Sequence, residues 1–259
     1  MKEKRVAVVT GSGKGIGRGV AEVLADQGYT VLLVARNSER LEKTSKEINS
    51  SGGNSEPWPC DITDRPAVAK LIESVKKHHG QIDVLVNMAG LMPFPSPLHE
   101  MSDDLWDDLI NTNLTGTYNV TKAVLPVMLE RKYGRIINIS SVSALKTVAN
   151  FVAYAAAKGA LHAFTTSLAQ EVTSKGITVN CVAPGFTETE EMHRIWGTLA
   201  EQSGITEDEM LSGFWAQIPI GRWIQPGEIA KTVAYLASED TAVVSGQILV
   251  VDGGYDSHA

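Results

Sequence analysis

Tyr154 and Lys158 stand four residues apart in Tyr154-Ala155-Ala156-Ala157-Lys158. On a helix, residues i and i+4 share a face, so a phenol and an ammonium can approach each other. A free tyrosine has a pKa near ~10 and parts with its proton poorly at neutral pH. A cation close by favours the phenolate and lowers that value. A phenol tuned in this way gives a proton to a carbonyl oxygen or takes one from an alcohol. Taken alone the pair is weak evidence, because any helix with one aromatic core residue and one surface lysine shows it.

A second group of residues points to an anionic ligand. The run Gly11-Ser12-Gly13-Lys14-Gly15-Ile16-Gly17 follows a short apolar segment and opens an amphipathic one. Glycines at a strand-to-helix turn let a pyrophosphate approach the backbone, and the helix start offers it unpaired N–H groups. No Lys-Ser/Thr pair ends the run, so it is not a P-loop. The second apolar segment ends in Val34-Ala35-Arg36, without the acid that usually meets the ribose hydroxyls of NAD. Lys14 and Arg36 together suit a 2′-phosphate. The expected cofactor is therefore NADP(H).

The elements that must position these residues follow a regular rhythm. Strands are expected at Val6–Thr10, Thr30–Ala35, Ser55–Cys60, Ile82–Asn87, Gly134–Ser140, Ile177–Ala183 and Gln247–Val251. Helices are expected at Ile16–Gln27, Ser38–Ser50, Asp64–His79, Ser102–Lys132, Asn150–Lys175 and Pro226–Ser238. Asp64 suits an N-cap, and Pro126 is expected to kink the long fourth helix. Nearly apolar strands alternating with helices imply a Rossmann-type doubly wound parallel sheet of about seven strands. Residues 1–259 are read as one catalytic domain, with about 186–222 as a small lid insertion. Ligands of such sheets sit at the carboxyl ends of the strands. Asn87-Met88-Ala89-Gly90 and Asn138-Ile139-Ser140-Ser141 both end strands there.

Composition narrows the function classes. A formal charge of −7, spread along the chain, argues against nucleic acid and anionic membranes as partners. Cys60 and Cys181 have no nearby partner in sequence, and no metal-ligand spacing exists, so neither a disulfide framework nor a metal is expected. The start Met1-Lys2-Glu3-Lys4-Arg5 leads into an apolar run too short for a signal peptide, which reads as a cytoplasmic protein.

Together these motifs resemble the short-chain dehydrogenase/reductase family. Thr10–Gly17 matches its TGxxxGxG element. Asn87–Gly90 is similar to its NNAG element, with Met88 in place of the second Asn. Asn113 in Asn111-Thr112-Asn113-Leu114-Thr115-Gly116 matches its catalytic Asn. Ser141, thirteen residues before Tyr154, matches its Ser, and Pro184-Gly185-Phe186-Thr187 its PG element. The order agrees over essentially the whole chain. The resemblance implies a catalytic set of Asn113, Ser141, Tyr154 and Lys158. Tyr154 would move the proton and Ser141 would orient the carbonyl. Lys158 would bind the nicotinamide ribose and lower the Tyr154 pKa. Asn113 would hold the long helix open around a water serving Lys158. Gly11, Ser12, Gly13, Lys14, Gly15, Ile16, Gly17, Arg36, Asp61, Ile62, Asn87, Ala89, Gly90, Tyr154, Lys158, Pro184, Gly185 and Thr187 would touch the cofactor. In the family's NADP-preferring members Lys and Arg recur where Lys14 and Arg36 stand. Met88 is expected to change packing, not activity. A homodimer or homotetramer through the two long helices is also implied.

The expected reaction is hydride transfer between NADP(H) and a small-molecule carbonyl or secondary alcohol. Ser143, Phe151, Trp196 and Phe214 are the candidate substrate contacts. Trp196, Phe214 and Trp215 would equally serve as the buried face of lid helices. A 3-oxoacyl-(acyl-carrier-protein) reductase is one alternative, although Glu188, Glu190, Glu191, Glu201, Asp208 and Glu209 would not attract an acidic carrier. An NAD-dependent polyol, cyclic-alcohol or hydroxy-acid dehydrogenase is another. A catalytically silent dinucleotide sensor is the non-enzyme alternative.

Overall fold

A computed structural model describes residues 5–256, so Met1–Lys4 of the localisation reading lie outside the described residues. Seven strands form one parallel sheet in the order β3-β2-β1-β4-β5-β6-β7. They are β1 (Val6–Thr10), β2 (Thr30–Ala35), β3 (Asn54–Pro59), β4 (Val84–Asn87), β5 (Gly134–Ile139), β6 (Ile177–Pro184) and β7 (Ile248–Val251). The helices are α1 (Gly15–Asp26), α2 (Ser38–Ser50), α3 (Arg65–His79), α4 (Asp103–Ile110), α5 (Gly116–Arg131), α6 (Val152–Val172), α7 (Glu190–Ser203), α8 (Glu207–Trp215) and α9 (Pro226–Ala237).

Alternation along the strands builds two cores. Ala7, Val9, Val31 and Leu33 face a layer containing Val20 and Leu24 of α1, Leu41 of α2 and Val233 of α9. Val6, Val8, Leu32 and Val34 face the other layer, with Val68 and Ile72 of α3, Val120 and Val124 of α5 and Leu168 of α6. Both faces are dry, which is why these strands lack a polar side.

From β1 the chain winds outward to β3, then returns to β4 on the other side of β1. The crevice opens where the order reverses, between the carboxyl ends of β1 and β4. A Cβ at Gly11 would meet Ala89 Cα at 2.8 Å, so the two strand ends approach as closely as glycine permits.

Three expectations are corrected. Ser102–Lys132 is not one α-helix: α4 and α5 are separated by a π-helical turn over Asn111–Thr115, while Pro126 lies inside α5. The Asn113 side chain takes the Leu109 carbonyl four residues back, at 3.0 Å, and competes with the helical ladder. The helix expected from Asn150 begins at Val152, because Asn150 has φ +69° and cannot continue into a right-handed helix. Strand β3 covers Asn54–Pro59, where Pro57 and Pro59 are tolerated because β3 is an edge. Asp64 does cap α3, accepting from the Ala67 N–H at 3.0 Å.

Candidate active site

The glycine turn begins at Thr10, whose Oγ1 accepts from the backbone N–H groups of Met88 and Ala89 at 3.0 Å each. Gly11 (φ +69°) and Gly15 (φ +55°) take the left-handed backbone that the turn requires. A Cβ at Gly17 would lie 2.3 Å from the Gly11 carbonyl oxygen, so the first helical turn folds back on the loop. Helix α1 has no side-chain cap, which leaves its first N–H groups for a ligand. Met88 fills space beside Gly17, in packing contact with the α1 core.

Strand β5 delivers Ser140 and Ser141, and the structure gives them different surroundings. Ser140 Oγ donates to the Lys158 carbonyl at 3.0 Å and pairs with His162 Nε2 at 2.7 Å. Ser141 Oγ accepts from the Ser143 N–H at 3.1 Å and lies near enough to the Tyr154 hydroxyl to favour its charged form. Helix α6 presents Tyr154 and Lys158 on one face, with the Lys158 ammonium 5.8 Å from the Tyr154 ring centre. Lys158 Nζ donates to the Ile139 carbonyl at 2.9 Å. Asn113 is fully buried: its Nδ2 donates to the Leu91 carbonyl and its Oδ1 accepts from the Leu91 N–H at 3.1 Å. A Cβ at Gly90 would strike Asn113 Oδ1 at 2.6 Å and Lys158 Nζ at 3.2 Å, so these two groups share one small space.

Burial governs the electrostatics. It pushes the Lys158 ammonium down to about 8, against a small opposing effect of Cys181. Burial also raises the Tyr154 hydroxyl above its ordinary value, and the Ser141 hydrogen bond only partly offsets this. Sequence reasoning expects Lys158 to lower Tyr154. In the structure burial of the phenol dominates, and the influence that opposes it comes from Ser141 and not from Lys158, so Tyr154 holds its proton at neutral pH.

All four residues line one cleft of about 460 Å³ with the glycine loop, Arg36, Asp61, Ile62, Ala89, Gly90, Pro184, Gly185 and Thr187. Asn87 and Ser12 sit just behind its wall. Each holds a buried oxygen without a partner, Asn87 Oδ1 and Ser12 Oγ. Such orphans, an uncapped helix start and left-handed glycines fit a dinucleotide with its pyrophosphate at α1. Arg36 is exposed on the rim, with Nη1 4.0 Å from Asp61 Oδ2. Arg40, the third residue of α2, also lines the cleft and was not singled out from sequence; its signal is a second arginine in the first turn of the helix that follows Arg36.

The substrate candidates separate. Ser143 lines the cleft, together with Leu91, Met92, Phe186 and Met192. Phe151, the residue before α6, does not line it. Trp196 and Phe214 stack at 4.7 Å within a cluster that includes Phe186, Trp223 and Tyr255, and they also lie behind the lining. Only Phe186 of that cluster reaches the cavity.

A family model described as enoyl-(acyl carrier protein) reductase matches residues 11–256. The chain is 38% identical over 259 residues to a putative ketoacyl reductase of Streptomyces coelicolor, covering 99% of each chain. It is equally 38% identical, over 97% of each chain, to the 3-oxoacyl-[acyl-carrier-protein] reductase FabG of Escherichia coli. The chain belongs to the short-chain dehydrogenase/reductase family. Among solved structures it resembles a variant actinorhodin polyketide ketoreductase with NADPH, at TM-score 0.95 and 38% identity, covering 100% of this chain and 99% of that one. A putative gluconate dehydrogenase from Agrobacterium tumefaciens aligns at TM-score 0.91 and 31% identity, covering 98% and 97%. As a short-chain dehydrogenase/reductase, the protein is an oxidoreductase of carbonyl and alcohol groups that uses a nicotinamide cofactor. Among the described residues no helix is long and apolar enough to cross a membrane.

Proposed function

We propose that this protein is a single-domain, cytoplasmic, NADP(H)-dependent carbonyl reductase in which Tyr154 is the proton donor. The observation that carries the reading is the enclosed Ser141–Tyr154 pair beside Lys158, facing the same cleft as the glycine loop. The nicotinamide, when bound, supplies the hydride to the carbonyl carbon. Ser141 orients the carbonyl oxygen, and Tyr154 gives it the proton as negative charge develops there. A phenol whose pKa burial raises keeps that proton until the oxygen becomes basic, which is the protonation state that reduction requires.

Lys158 holds the nicotinamide ribose and contributes positive potential, and Asn113 fixes the turn from which Lys158 is reached. Ala89, Gly90, Pro184, Gly185 and Thr187 form the walls around the nicotinamide, with Asn87 just behind them, and Asp61 and Ile62 border the adenine. Lys14 and Arg36 favour the 2′-phosphate, with no acid at the tip of β2 to favour a free ribose.

The apolar residues Leu91, Met92, Phe186 and Met192 also line the cleft, and they suit a neutral, apolar ketone. A β-ketoacyl substrate is the second reading, favoured by the names of the Streptomyces coelicolor and Escherichia coli relatives. The acidic lid opposes a carrier protein less than its sequence suggests. Glu188 accepts from Gln225, Glu191 pairs with Lys14, and Glu209 caps Thr206, so half of the six acids are engaged within the protein.

The test is a panel of ketones, β-ketothioesters and alcohols assayed with NADPH and NADH. Highest kcat/KM is expected with NADPH and a ketone, and a higher value with NADH would overturn the cofactor reading. In the same assay Tyr154→Phe is expected to lose about 10²–10⁴-fold in kcat while binding cofactor normally. Unchanged turnover of that variant would overturn the proton-donor role.

A further inference from the structure

The cation that the sequence offers to the 2′-phosphate already has a partner. Lys14 Nζ lies 3.5 Å from Glu191 Oε2, across the cleft mouth from the glycine loop to the first turn of α7. Two neighbouring contacts fix Glu191 in this place. Thr189, the N-cap of α7, accepts from the Met192 N–H at 3.2 Å, and its methyl would stand 3.3 Å from a Cβ at Gly15. The start of α7 therefore packs directly on the phosphate loop. Arg194 hydrogen-bonds Glu191 from the far side, and its guanidinium lies 4.4 Å from the centre of the Phe94 ring. Phe94 belongs to the segment that follows β4. Glu191 is thus the middle link of a strap running from the glycine loop through Lys14, Glu191 and Arg194 to Phe94.

Glu191 also lines the cleft, at the end where Lys14, Arg36 and Arg40 stand. A carboxylate there has two effects on an arriving 2′-phosphate. It competes for the Lys14 ammonium, and it repels the phosphate itself. A cofactor whose ribose carries a free hydroxyl has no 2′-phosphate to be affected, and shares with NADP(H) only the pyrophosphate. Arg36 is placed differently, because its acid, Asp61, stands on the adenine side and 4.0 Å away.

We propose that Glu191 is a specificity-determining residue, an internal counter-ion of Lys14 that the 2′-phosphate must displace and that thereby restrains the preference for NADP(H) over NAD(H). The inference rests on the NADP(H) reading above. It makes Lys14 a switched cation: held by the lid in the free protein, and by the phosphate in the complex.

The experiment measures Kd for NADPH and NADH by nucleotide fluorescence, without substrate, in the wild type, Lys14→Ala, Glu191→Gln and the double variant. Glu191→Gln is isosteric and exposed on one side, and leaves the α7 cap at Thr189 in place. It is expected to tighten NADPH about two- to fivefold, the range that one partly exposed ion pair spans, with NADH unchanged. Lys14→Ala is expected to weaken NADPH about tenfold, also with NADH unchanged. In the Lys14→Ala background, Glu191→Gln is expected to change NADPH affinity by less than half as much, because one of its two effects is gone. If the wild type prefers NADPH but Glu191→Gln leaves or weakens NADPH binding, the counter-ion role is overturned and the cofactor reading stands. If NADH binds as tightly as NADPH and Lys14→Ala alters neither selectively, both fall together. An equal tightening of NADPH and NADH would show that Glu191 acts on the pyrophosphate the two cofactors share and not on the 2′-phosphate, and would also overturn the proposal.

Discussion

Tyr154 and Lys158 share one buried space, and burial disfavours the charged form of both, with opposite consequences for their protons. The phenol resists losing its proton, and the ammonium resists keeping its own. The catalytically useful combination, protonated phenol beside ammonium, therefore exists on the acid side of the Lys158 transition. Lys158 falls from its usual value to about 8, so the ammonium is present below that pH and is lost as pH rises through it. Reduction is expected to decline above pH about 8 as a single deprotonation, measured as a break in kcat/KM against pH, which reports the free enzyme; a profile flat to pH 10 would contradict the assignment. The same shift acts on stability in the alkaline direction. The folded protein disfavours the ammonium, so stability rises as pH moves from about 8 towards the ordinary lysine value. That Tyr154, Ser141, Lys158 and Asn113 belong together came from the family's motif order, and the structure brings all four to one cleft. The direction of the Tyr154 shift was not legible in the sequence, because desolvation depends on what the rest of the fold places around the hydroxyl.

Elements were legible where periodicity was strong and less so where a side chain overrode it. The seven strands and the helices α1, α2, α3 and α9 lie within a few residues of the pattern expected from apolar spacing. The break between α4 and α5 was not visible as a boundary, since the sequence there keeps a helical rhythm and holds no proline or cap. It arises because Asn113 spends its amide on the Leu91 and Leu109 carbonyls and its carbonyl on the Leu91 N–H. Asn113→Leu keeps the volume and leaves those buried groups unpaired, at a cost of about 1–3 kcal/mol each where no water replaces the side chain. A lowered midpoint in urea together with lost turnover is expected; an unchanged midpoint would show that the turn does not depend on Asn113.

The lid depends on a different device. His193 of α7 meets Glu207 of α8 at 2.7 Å and Glu188 at 3.3 Å, while Glu188 accepts from Gln225. The Glu207 hydrogen bond is the main influence that raises the His193 pKa, with Glu188 adding to it. A raised folded-state value means that this contribution is complete below the ordinary histidine pKa and is lost as pH rises through the folded one. Hydrogen exchange of α7 and α8 is therefore expected to speed up from pH 6 towards pH 8, beyond the intrinsic rate, and His193→Gln is expected to remove that extra dependence.

At the scale of the whole molecule, the two edges of the sheet differ. On β3 the Cys60 N–H reaches inward to the Ala35 carbonyl, so by strand alternation Pro57 and Pro59 turn outward and present no donor. That edge is blocked against further pairing. On β7 the Leu249 and Val251 positions pair inward with β6, and Ile248 and Val250 face out without a proline among them. Val250 is 41% exposed, with Tyr235 of α9 at 53% and Val243 at 93% nearby in sequence. A second apolar set lies on the helices that follow β4: Trp106 on α4, Tyr118 on α5 and Val152 on α6. An isolated chain leaves both surfaces in water, and two such surfaces, each meeting its own copy across a two-fold axis, would build a tetramer, where one would stop at a dimer. Light scattering is expected to give four times the 27.9 kDa chain mass. Val250→Lys places a charge on the open edge without touching the cleft, and it is expected to halve that mass while the helical face holds the remaining dimer. A wild-type monomer would overturn both faces, and a Val250→Lys tetramer would restrict the assembly to surfaces other than β7.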